Sequence, residues 1–261
     1  MTRRWNVPSW VALLGVVATA FLALPVIALA VRAPWADVAD LLTGSGARAA
    51  LRLSLFCSLA ATVLAMALGV PLAWIISRAE FPGRRLVRGL AILPLVLPPV
   101  VGGVALLLAF GREGVAGALL DDLFGFRTFG TSLAVILAEA FVALPFVVLA
   151  VEAGLRALDR RYEDAAASLG ASPSFTMWRV TLPALRPALA SAAILAWARA
   201  LGEFGATITF AGNVPGRTQT APLAIYTTLQ HDLDGAIALS IALVVVALAV
   251  LLVLRDRWLT T

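Results

Sequence analysis

At 261 residues the chain is long enough for one or two soluble domains, but 61% hydrophobic residues, 13% charged residues and a mean hydropathy of +0.96 do not describe a water-facing surface. Charged residues normally make up about a quarter of a globular chain, so a polytopic, all-α membrane protein is expected. The 20 basic residues are all arginine, which excludes a Walker A lysine and Schiff-base chemistry, and one cysteine (Cys57) with one histidine (His231) excludes an internal disulfide and the usual zinc or His-relay arrangements.

A hydrocarbon core about 30 Å thick needs roughly 20 apolar helical residues. Runs near that length occur, in chain order, at 10–31, 53–77, 89–111, 131–151 (interrupted by Glu139) and 235–254. Between the fourth and the last, a less clean sixth span is predicted at 184–204, where Arg199 and Glu203 interrupt the apolar pattern. Arg3 and Arg4 before the first run, with the small residues Ala28-Leu29-Ala30 near its end, raise the possibility of a cleaved leader. The run exceeds the length of a leader's apolar region, so a retained helix is expected. No internal repeat or low-complexity linker divides the chain, and a single transmembrane domain over 1–261 is expected, with nothing after the last span large enough for a regulatory domain.

Orientation follows from the arginines, which collect in short cytoplasmic loops. With the N-terminus inside, Arg3, Arg4, Arg78, Arg84, Arg85, Arg88, Arg156, Arg160, Arg161, Arg179, Arg186, Arg255 and Arg257 are cytoplasmic. Arg32, Arg48, Arg52, Arg112, Arg127 and Arg217 are outside. Both termini are therefore expected in the cytoplasm, and the net charge of +5 is read as topological bias rather than as a nucleic-acid surface.

The longest cytoplasmic connection, 152–183, reads as two short helices. Asp159 is placed to cap the first, whose Tyr162, Ala165, Ala166 and Leu169 share one face, and Gly170 supplies the left-handed position that ends it. Ser172 then caps a second helix with Pro173 at its first position. Phe175, Met177, Trp178 and Val180 give this helix more apolar surface than a solvated loop needs. Such a face packs on the protein's own helix ends, lies at the lipid interface, or docks on a partner.

Asp164-Ala165-Ala166, Gly170 after three further positions, and Leu182-Pro183 resemble the EAA loop of binding-protein-dependent ABC importer permeases. Asp164 stands where that family has Glu, and Glu163 directly precedes it, so either acid is a candidate for the family's contact. The resemblance implies that Glu163, Asp164, Ala165, Ala166, Gly170, Phe175 and Trp178 belong to a coupling helix that docks in a cleft of a cytoplasmic ATP-hydrolysing subunit. It extends to LPLVLPPVVGGVALLL in the third span and to RALGEFGATITFAGNVPGRTQTAPLAIYTTLQ from Arg199 to Gln230, which look like the permease subunit of molybdate importers. In all it covers the chain from about Leu53 onward.

Implied with it are a type I ABC importer permease-like fold in a bacterial-type inner membrane, a second copy of the chain, two ATP-binding subunits and an extracytoplasmic oxoanion-binding protein. ATP and magnesium would reside in the partner, with no cofactor, metal or catalytic residue in this chain. The substrate would be molybdate, with tungstate as a further candidate. Sulfate or thiosulfate permeation is the near rival, and an ion-coupled secondary transporter the distant one, for which Glu139 is the deep acid.

Arg199 lies about 24 Å along its helix from Pro183, at 1.5 Å per residue, which places Arg199 and Glu203 toward the outer mouth. They read either as a polar gate or as an ion pair that fixes packing. Thr207, Thr209 and Asn213, among Gly202, Gly205 and Gly212, are the candidates for weak oxoanion contact along the pathway.

Overall fold

The computed structural model describes residues 8–125 and 128–258, with side chains described as far as Ala249 except at Leu120 and Phe124. Arg3, Arg4 and Arg127 of the charge-bias reading lie outside the described residues, as do the side chains of Arg255 and Arg257. Every regular element among the described residues is helical. In order they are α1 (Ser9–Arg32), α2 (Val38–Thr43), α3 (Ser45–Arg78), α4 (Arg84–Val96), α5 (Pro99–Phe110), α6 (Val115–Phe124) and α7 (Ser132–Ala157). There follow α8 (Arg161–Ser168), α9 (Pro173–Thr176), a π-helical turn (Met177–Thr181), α10 (Leu182–Ala184), α11 (Arg186–Leu201), α12 (Gly205–Phe210), α13 (Ala221–Thr228) and α14 (Leu233–Trp258).

Ser9–Arg32, Ser45–Arg78, Pro99–Leu119 and Ser132–Ala157 are each long and apolar enough to cross a membrane, and the bent pair Pro173–Ala184 with Arg186–Leu201 makes a fifth crossing if taken as one span. The described apolar part of α14 runs over Leu233–Ala249.

The centre is a three-helix contact of α3, α7 and α11, made close by small residues. Ala61, Ala65, Gly69 and Ala73 recur every fourth residue on α3, and Ala192, Ala196 and Ala200 do so on α11; all are buried. Lipid tails are as apolar as leucine, so membrane helices associate through close van der Waals packing rather than hydrophobic expulsion, and small stripes permit it. A Cβ on Gly69 would lie 2.8 Å from Val147 Cγ1, and one on Gly154 would lie 2.5 Å from Ala188 Cβ. Trp197 Nε1 donates to Ser58 Oγ at 2.9 Å, tying α11 to α3 across the same seam. By contrast α1 has no buried residue and touches the bundle at α14.

The predicted spans differ from the structure at several points. The third is not continuous: Leu97 and Pro98 are extended (ψ 135° and 134°), which separates α4 from α5. Each precedes a proline, and the proline ring clashes with a helical conformation in the residue before it. The fifth ends at Leu201, with Gly202 as its C-cap, and a new helix starts at Gly205. The fourth runs past Val151 to Ala157, so the first residues of the predicted loop are still helix.

The break in the third span brings α5 against α12. A Cβ on Gly205 would fall 2.7 Å from Pro99 Cβ, and one on Gly103 would fall 2.7 Å from Thr209 Cβ and 2.9 Å from the Ala206 carbonyl oxygen. Gly103→Val is therefore expected to force α12 off α5 and to lower stability by about 1–3 kcal/mol, the usual range for overpacking. Thermal unfolding of the detergent-purified variant checks this; an unchanged midpoint would mean that the two helices separate freely.

Candidate functional site

Two polar regions stand out on this scaffold, one in the loop after α7 and one where α11 gives way to α12. In the loop, Asp159 Oδ1 accepts from the Arg161 amide at 3.0 Å, although the residue flanking α8 is Arg160. Gly170 has φ +85°, and the Ala171 amide reaches back to the Ala166 carbonyl at 3.0 Å, closing α8 in the manner of a glycine-terminated helix. Ser172 Oγ accepts from the Phe175 amide at 3.2 Å, with Pro173 opening α9.

The two acids of the motif are distinguished by burial. Glu163 Oε2 pairs with Arg78 Nε of α3 at 3.0 Å, and its Oε1 accepts from Thr181 Oγ1 at 2.9 Å. Thr181 is fully buried. One carboxylate thus clamps both halves of the loop to the end of α3. Asp164 is exposed, and its side chain makes no ion pair or hydrogen bond among the described residues. Ala165 and Ala166 lie beside it on the surface, Ala166 half-buried.

The apolar residues of the loop divide: Met177 and Val180 are half-buried, Met177 beside Pro71, Trp74 and Ile75 of α3, while the others face outward. Phe175 is 55% exposed, Trp178 68%, Tyr162 63% and Leu169 89%. Four large apolar or aromatic side chains left exposed on one loop are the kind of surface that marks an interaction site.

At the second region Arg199 Nη2 meets Glu203 Oε2 at 2.5 Å. Glu203 is 1% exposed, and its other oxygen accepts from the Ala206 amide at 2.8 Å. The carboxylate therefore closes the gap between the two helices, holding Arg199 at the end of α11 while satisfying a free amide at the start of α12. Thr207 is fully buried, whereas Arg199, Thr209 and Asn213 are partly exposed. Thr209 Oγ1 is engaged by the Gly205 carbonyl at 2.8 Å, and Thr207 Oγ1 and Asn213 Oδ1 have no partner among the described residues. Glu139 of α7 is 1% exposed, has a partnerless Oε2, and lies near enough to Cys57 and Glu203 to interact electrostatically.

Sequence reasoning missed the clamp's other members. Arg78 entered only as one positive charge among many, and Thr181 carries no motif. Ser54, whose Oγ accepts from the Ala221 amide at 2.7 Å and so pins the start of α13, gave no signal either. The spacing of Arg199 and Glu203 by four did carry a signal, and the structure brings them together.

The same architecture occurs in the crystal structure of a bacterial ABC transporter involved in the import of the acidic polysaccharide alginate, with a TM-score of 0.74 at 20% identity, covering 97% of this chain and 95% of that one. The fold is thus that of type I ABC importer permeases. Residues 65–260 match the family described as binding-protein-dependent transport system inner membrane component, and the chain belongs to that family. It is 47% identical over 247 residues to the molybdenum transport system permease protein ModB of Mycobacterium tuberculosis, covering 95% of this chain and 93% of that one. It is also 37% identical over 251 residues to the sulfate transport system permease protein CysT of Synechococcus elongatus, covering 95% and 88% respectively. A multi-pass ABC importer permease is the coarse function that these findings establish.

Proposed function

We propose that the chain is the permease subunit of an ATP-driven molybdate importer, with tungstate as a second substrate, working as a homodimer with two ATPase subunits and an extracytoplasmic oxoanion-binding protein. The whole of 1–261 acts as one transmembrane domain, with both termini on the cytoplasmic side, where the loop meets the ATPase. The observation that carries this reading is the loop itself: an unpartnered face of Tyr162, Leu169, Phe175 and Trp178 on a segment locked to α3 through Glu163. A rigid apolar knob transmits a rotation of the docked subunit, where a slack loop would absorb it.

In this scheme Asp164, exposed beside that face, contacts the ATPase, and Arg199 with Glu203 forms a gate whose opening parts α11 from α12. ATP binding and hydrolysis in the partner shift the population between outward- and inward-facing states. Selection of the anion falls to the binding protein, while Thr209 and Asn213 offer only weak contacts along the path. The high identity to a molybdenum permease supports molybdate over the sulfate alternative, which the cyanobacterial sulfate permease keeps as the second reading.

Uptake of labelled molybdate into proteoliposomes holding the chain, its ATPase and its binding protein tests the scheme. Uptake is expected to require ATP and to be outcompeted by tungstate more strongly than by sulfate. Uptake driven by a proton gradient without ATPase would overturn it.

A variant probes the loop separately. Proline fixes φ near −65°, which the +85° of Gly170 does not permit. Gly170→Pro is expected to leave membrane insertion intact while ATP turnover loses its proportion to uptake; normal uptake would remove the loop from the coupling path.

A further inference from the structure

Where α3 ends and α4 begins, a cleft of about 300 Å³ is lined by Ser77, Arg78, Arg84, Glu152, Arg156 and Arg160. Its charges do not balance. Glu152 is shared between Arg88 at 3.3 Å and Arg156 at 2.6 Å, and Arg78 is taken up by Glu163. Arg84 and Arg160 have no carboxylate partner among the described residues. Arg160 Nη2 instead reaches the Ser77 carbonyl at 3.5 Å, which holds its guanidinium at the cleft.

Ser77 is 8% exposed, and its Oγ is buried without a hydrogen-bond partner. A buried hydroxyl left unpaired is unfavourable unless something absent completes it. Beside it α4 starts at Arg84 without a side-chain cap, the Arg84 amide donating to the Phe81 carbonyl at 3.4 Å.

Guanidinium groups without a carboxylate partner and a lone hydroxyl are together the donor set of a tetrahedral oxoanion. We propose that this cleft binds a phosphate-type oxoanion group, supplied either by the headgroup of an anionic phospholipid or by a free anion. The cleft sits at the polar ends of two apolar helices, the level where headgroups lie. From it Leu86, Leu90 and Leu93 run along α4 as an exposed apolar stripe, in position to take an acyl chain. The bound group bridges α3, α4 and the residue that leads into α8, and so steadies the root of the loop. None of this depends on which anion is transported.

The test uses the purified full-length chain. Native mass spectrometry from nanodiscs of phosphatidylcholine mixed with phosphatidylglycerol reads lipid retention, and calorimetry in detergent with inorganic phosphate reads free-anion binding. Arg84→Gln and Arg160→Gln are each expected to weaken binding roughly fivefold, as for one basic group at a lipid surface, and Ser77→Ala to weaken it with the unfolding midpoint unchanged. Retention of phosphatidylglycerol with no phosphate binding supports the headgroup as source; phosphate binding without lipid preference supports a free anion. Binding of neither, or binding that the three variants leave unaltered, overturns the proposal.

Discussion

Glu163→Ala is expected to free the loop from the bundle and to cut ATP-dependent uptake by about an order of magnitude or more, with a local stability loss of roughly 3 kcal/mol. The size follows from what is left behind. Arg78 is nearly buried, with 13% of its side chain exposed, and would keep its charge without the carboxylate 3.0 Å away. Thr181, fully buried, would lose its acceptor at 2.9 Å. Breaking a buried pair by removing one partner leaves an uncompensated charge, which is the expensive direction.

Asp164→Asn is the control. That side chain is exposed and unpaired within the chain, so its stability change is expected to stay within about 0.5 kcal/mol. Thermal unfolding of both variants, with uptake in the reconstituted complex, separates the two acids. A larger midpoint shift for Asp164→Asn than for Glu163→Ala would reverse their assigned roles.

The second large effect is expected at Glu203→Ala. It removes the partner of Arg199 at 2.5 Å and the acceptor of the Ala206 amide at 2.8 Å. With the carboxylate 1% exposed, a loss of roughly 3–5 kcal/mol is expected, the range for opening a buried ion pair on one side. Glu203→Gln keeps the acceptor for Ala206 and loses only the charge, so it should recover part of that loss. Limited proteolysis between α11 and α12, beside the unfolding midpoint, reads whether the junction has opened. Equal midpoints for wild type and Glu203→Ala would show that the pair contributes nothing to holding these helices. For Arg199→Leu the same argument predicts a comparable loss, since the acid would then be the buried group left alone.

Much of this was legible in the chain. Apolar runs marked where α1, α3 and α7 run, because hydrocarbon thickness translates directly into a residue count. The glycine, serine and proline around 170–173 announced the loop's two helices, because caps and left-handed turns are local requirements that single residues meet. The tandem prolines at Pro98 and Pro99 carried the break in the third span as well, through the rule on residues before proline. The uninterrupted apolar pattern hid it.

What the chain by itself determined, then, is what depends on neighbours in sequence: a helical membrane protein, the apolar cores of α1, α3 and α7, the turn at Gly170 and the cap at Ser172, and the Arg199–Glu203 pairing at one turn's separation. The tertiary structure alone decided which acid of the Glu163-Asp164 pair is half-buried and paired, that Arg78 and Thr181 meet it from 85 and 18 residues away, and that Glu139 lies near Glu203. It alone also gathered Ser77, Arg84 and Arg160 around one cleft. Burial and charge pairing between distant segments arise from packing, and a small-residue stripe specifies that helices approach closely without specifying which polar groups that approach brings face to face.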